Sequence, residues 1–166
     1  MSSGILTKGA IALCFASILG SGGPAAAATA TTSFGVQIQI TNDCTITSTD
    51  MNFGSVGFIA ANVDATSTIT VRCTVGSAYS IALNLGVGAG TSIAARKLTG
   101  AGGTLDYNLY QDTARTIVWG TVNPAQTVQG TGNGTTQPIT VYGRVPPQSS
   151  PGTGVYNDTI TAQITY

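Results

Sequence analysis

Apolar residues recur at every second position in short runs broken by Gly, Asn, Asp and Pro. Phe34, Val36, Ile38 and Ile40 share one parity, interleaved with Gly35, Gln37, Gln39 and Thr41. The pattern returns in Ile69, Val71 and Cys73, and then in Tyr79, Ile81, Leu83, Leu85 and Val87. Leu105, Tyr107 and Leu109 carry it on, followed by Ile139, Val141 and Val145. Ile160, Ala162, Ile164 and Tyr166 make the last run. A period of two marks a strand with one buried face, and many such runs between turn signals predict a sandwich or barrel. No stretch of a dozen residues carries a helical stripe. We therefore expect an all-β chain of packed antiparallel sheets. Glycine clusters at residues 86–90, 100–103 and 130–134 read as turns, because no P-loop lysine follows any of them.

Composition sharpens this picture. A length of 166 residues suits one domain. Only 7% of residues are charged, against roughly 25% in an average soluble domain. With 42% hydrophobic residues the chain is not of the disordered class. Its 27 threonines favour strands and give a surface of hydroxyls rather than charge. Six basic residues against six acidic ones make no phosphate-neutralising face, so no nucleic-acid partner is expected.

Histidine is absent, which removes Ser-His-Asp and Cys-His chemistry and every histidine-containing zinc site. Carboxylate chemistry would have to come from Asp43, Asp50, Asp64, Asp106, Asp112 and Asp158, which are scattered. We expect no catalytic residue, metal or cofactor. Asp112 and Arg115 read as a turn with a local ion pair, Trp119 as a strand-end core residue, and Asp158 as an acceptor for turn backbone donors.

The N-terminus has Lys8, an apolar run at residues 9–19 and a small-residue stretch at 20–28. This is the form of a cleaved secretory signal, residues 1–28. The apolar run is too short for a hydrocarbon core, which needs about 20 residues, so no integral membrane segment is expected after cleavage. Residues 29–166 would then keep two cysteines, Cys44 and Cys73, and an isolated pair in an oxidising compartment is most simply one disulfide.

Several stretches line up in order: NDCTI at 42–46, NFGSV at 52–56, STITVRC at 67–73 and YSIALNLGVG at 79–88. LDYNLYQDTARTIVWG at 105–120, YGRVPPQ at 142–148 and GVYNDTITAQITY at 154–166 complete the set. Together they resemble the spore coat protein U domain family, which includes subunits of archaic chaperone–usher pili. The resemblance implies an immunoglobulin-like antiparallel β-sandwich lacking its last strand and completed by donor-strand exchange. It also implies secretion through the periplasm to a cell-surface fibre or coat. The implied partners are identical or related pilin subunits in a head-to-tail polymer, a periplasmic chaperone and an outer-membrane usher. Adhesion or biofilm formation would be the outcome.

On this reading the acceptor edge is Ile160, Ala162, Ile164 and Tyr166, whose alternation runs to the end of the sequence. The donor segment is about residues 29–40, centred on Phe34, Val36, Ile38 and Ile40. A flexible alternating segment suits strand addition, and donor and gap at opposite ends generate an open filament. The same residues could instead form the domain's own first strand. The competing function is a secreted monomeric β-sandwich module that binds glycan or a surface.

Overall fold

A computed structural model describes residues 23, 24, 26–88, 91–122 and 124–166. The expected leader falls largely outside the described residues. The chain divides into two units, Met1–Ile38 and Gln39–Tyr166. The described residues of the first unit form no regular element. The described residues of the second form eight strands: β1 (Cys44–Ser48), β2 (Val63–Cys73), β3 (Ala78–Leu83), β4 (Arg96–Gly100), β5 (Gly103–Tyr110), β6 (Val128–Thr131), β7 (Gln137–Val145) and β8 (Ala162–Thr165). Among the described residues there is no helix.

All pairings are antiparallel. One sheet has the order β1-β2-β7-β5-β4 and the other β6-β3-β8. Alternation explains how they meet. Ile69, Val71 and Cys73 of β2, Tyr79, Ile81 and Leu83 of β3, Tyr107 and Leu109 of β5, and Val141 and Val145 of β7 are all buried in one cluster. Their neighbours of opposite parity include Asp64, Thr70 and Arg72 of β2, Ser80 of β3, Asp106 of β5 and Thr140 and Arg144 of β7. Trp119 is fully buried, and its indole N–H donates to the Ile81 carbonyl at 2.9 Å. Two antiparallel sheets facing one core in this way form an immunoglobulin-like β-sandwich.

The Tyr79 run stops as a strand at Leu83, short of Leu85 and Val87. The reason is local. The Asn84 side-chain oxygen accepts the backbone N–H of Gly86 and of Thr161, which turns the chain. Gly86 itself has φ +90, and a Cβ there would collide with the Asp158 carboxylate. Gly103 and Gly134 also adopt positive φ, so each glycine cluster contains a turn.

Residues 34–40 form no strand, and the domain's own first strand begins at Cys44. The expected ion pair between Asp112 and Arg115 does not form either. Asp112 is consumed by its own turn, accepting from the backbone of Thr116 and Ile117 and from the Thr116 hydroxyl. Arg115, at φ 58, instead reaches Asp64 at 3.3 Å and lies over the Tyr142 ring.

Candidate functional site

The sandwich is unevenly finished at its borders. β4 ends the larger sheet, but Thr99 exchanges backbone hydrogen bonds with Asn157, so its outer edge is partly covered. β1 ends the same sheet at the other side, and β8 ends the smaller one. No described strand pairs with the outer edge of either.

These two edges lie on the same flank. The link from β6 to β7 runs beside the link from β2 to β3: Thr131 pairs with Ala78, and Gly132 is hydrogen-bonded to Ser77 and Gly76. Gly134 N–H then donates to Cys73 O, and Gln137 pairs with Val71. Two links running side by side put β6 on the β7 side of the sandwich. β8, on the opposite flank of β3, therefore falls on the β1 side.

Between the two edges the core is only half covered. Cys44 and Ile46 of β1, Ala162 and Ile164 of β8, and Ile160 before it all pack against the buried cluster, yet none is fully buried. In register, Ile81 opposes Ile164 and Leu83 opposes Ala162, so the half-covered side chains share the inward parity of β3. Of the four residues expected at the acceptor edge, the structure places Ala162 and Ile164 within β8. Ile160 precedes the strand, and Tyr166 follows it with 52% of its surface exposed. Sequence reasoning missed β1 as the other edge strand of this flank. Its signal was present in the alternation of Cys44 and Ile46, but over only five residues.

Cys44 and Cys73 are directly opposed across β1 and β2 and joined by a disulfide. This bond ties the edge strand β1 to the sheet interior.

Phe34, Val36, Ile38 and Ile40 are the expected donor residues. They are 86%, 87%, 87% and 77% exposed, beyond what scattered surface apolar residues would explain.

The other polar residues have structural employment. Asp158 accepts the backbone N–H of Val87, Gly88 and Thr159 and, at 2.6 Å, the Tyr107 hydroxyl. Burial first, and this bond second, push the Tyr107 phenol above its ordinary pKa. Lys97 pairs with Asp106 across β4 and β5. Buried Trp119 has no face free to stack on a sugar. Among the described residues, no three His, Cys, Asp or Glu side chains are grouped to hold a metal ion, and no helix is long and apolar enough to cross a membrane.

Residues 30–163 match the Spore Coat Protein U domain. The chain is 33% identical over 159 residues to Protein U of Myxococcus xanthus, covering 86% of this chain and 88% of that protein. Among solved structures it is similar to a chain in the chaperone–tip adhesion subunit pre-assembly complex from the archaic chaperone–usher Csu pili of Acinetobacter baumannii. That likeness has a TM-score of 0.58 and 22% identity over 76% of this chain, and is one of fold. The present chain spans 40% of the length of that one. With the family match running from before β1 into β8, the chain belongs to the Spore Coat Protein U domain family.

Proposed function

We propose that the chain is a structural subunit of a secreted surface fibre or coat that polymerises by strand exchange. The segment at about residues 29–40 of one copy enters the groove between β1 and β8 of the next. Residues 1–28 act as the export signal, and a periplasmic chaperone and an outer-membrane usher hold and deliver the subunit. Attachment or biofilm formation is the use of such a fibre. One observation carries the proposal: the same chain holds half-buried apolar side chains on two edge strands and an exposed alternating segment of matching period. Family membership supports it, as does a fold shared with a chain from a chaperone–pilus subunit complex.

Burying Phe34, Val36, Ile38 and Ile40 contributes about 1.5–3 kcal/mol each before ordering costs. A backbone ladder along β8 adds to that. Ile38→Asp puts an unpaired charge into this groove at a cost of several kcal/mol. We expect it to abolish heat-resistant polymer on denaturing gels of surface extract, while export and the disulfide persist. Val36→Ile should polymerise normally. Wild-type polymer from Ile38→Asp would mean that assembly runs through another surface. A wild-type chain that stays monomeric and engages no chaperone would favour the glycan- or surface-binding module.

A further inference from the structure

Strand exchange has an internal competitor in this chain. Only Thr41, Asn42 and Asp43 separate Ile40 from Cys44, and three residues suffice for a hairpin loop. Such a hairpin would lay residues 34–40 along the outer edge of β1. Ile40 would oppose Cys44, Ile38 would oppose Ile46 and Val36 would oppose Ser48. Because strand parity has a period of two, all the apolar side chains of the segment would then face the chain's own core. The pattern that fits the groove of a neighbour fits the subunit's own groove equally well.

The connector is held in a way that forbids this. Thr74, the residue after β2, donates its backbone N–H to Asp43 O at 2.9 Å. Its hydroxyl oxygen accepts the Asp43 N–H at 3.2 Å and lies 3.3 Å from the carbonyl oxygens of both Asp43 and Thr41. The Cys44–Cys73 disulfide fixes the adjacent pair. Thr74 continues β2, on the inner flank of β1. Strands are about 4.8 Å apart, so a residue turning onto the outer flank of β1 would stand roughly two spacings, about 10 Å, from Thr74. A Thr41 carbonyl bonded to Thr74 cannot be there.

We propose that Thr74 is a latch that keeps residues 34–40 out of their own groove and so reserves both donor and groove for a second copy of the chain. The proposal rests on the strand-exchange reading above. Thr74 is a positioning residue: it acts on the direction of the connector.

The test compares exported, full-length Thr74→Val, Thr74→Ser and wild-type protein. Valine keeps the shape and the backbone bond but loses the hydroxyl, while serine keeps the hydroxyl and the backbone bond and loses only the methyl. Amide hydrogen exchange of residues 35–40 is read on purified monomer, and heat-resistant polymer on gels. In Thr74→Val we expect amide protection at residues 35–40 to rise, and polymer to fall, by tenfold or so, the worth of one or two net hydrogen bonds. Thr74→Ser should match wild type in both. Unprotected amides in folded, disulfide-bonded Thr74→Val overturn the latch, whether polymer persists or is lost. Persistence of polymer in Ile38→Asp overturns strand exchange instead, and the exchange comparison still decides the latch.

Discussion

Arg96 is fully buried, and its guanidinium is held by neutral acceptors. Its guanidinium donates to Asn84 O at 2.8 and 3.0 Å, to Trp119 O at 2.7 Å and to Asn108 Oδ1 at 2.6 Å. Burial holds its pKa below the ordinary arginine value. The planar fork joins the start of β4 to the end of β3 and so staples the two sheets together. Arg96→Met would leave these acceptors unpaired at about 1–3 kcal/mol each, and Lys cannot replace the fork. We expect both variants to lower the denaturant midpoint, methionine more than most buried substitutions.

Asp64 stands between two cations, Arg144 at 2.7 Å and Arg115 at 3.3 Å. The hydrogen bond from Arg144 is the main cause holding its carboxyl below the usual range. A carboxylate with a lowered folded pKa stabilises the fold fully above its unfolded value of about 3.9. That contribution is lost as pH falls through the lower, folded value. Melting temperature should therefore drop on acidification below about pH 4, and Asp64→Asn should flatten the drop.

At the scale of elements, legibility followed length and partners. The cores of β2, β3, β5 and β7 were readable, because Val71, Ile81, Leu109 and Val141 keep strict parity across half-buried strands. β4 escaped because RKLTG offers Leu98 as its lone apolar residue and leads with an arginine that points inward. β6, VQGT, is four residues long with a glycine inside. No motif could reveal Arg96, since most of its partners are backbone carbonyls. Residues 34–40 show the reverse case. They have the period of a strand and form none, because no described strand pairs with them. β1 depends on its covalent tie to β2: replacing both cysteines by serine opens a loop with a sequence separation of 29. The chain-entropy relation puts that loss at about 3–4 kcal/mol. It should appear as a lower melting temperature in which protection of β1 amides is lost first.

In the sandwich of Gln39–Tyr166, no described strand pairs with the outer edge of β1 or of β8. Under the strand-exchange proposal, the Ile38→Asp chain has a spoiled donor but an intact groove, which makes it a clean acceptor. A synthetic peptide of residues 29–41 should raise its melting temperature progressively with peptide concentration. At a hundredfold excess over Kd the gain is about 2.7 kcal/mol, or roughly 5–10 °C. A peptide of the same composition without the alternation should leave the transition in place, and thermal melts monitored by circular dichroism would distinguish the two.

The position of the disulfide matters once tension is considered. A pull on residues 34–40 enters the sandwich at Cys44, the first residue of β1. There the load meets a covalent branch. It passes through the sulfurs into Cys73 and so into β2, eleven residues long and clasped by β1 on one side and by nine residue pairs of β7 on the other. Short β1 is bypassed and cannot be peeled from its end one hydrogen bond at a time. Force is delivered instead along β2, where the ladder bonds to both neighbours resist in shear together. In single-molecule stretching, reduction of this bond should convert one high-force rupture into an earlier, low-force extension as β1 unzips.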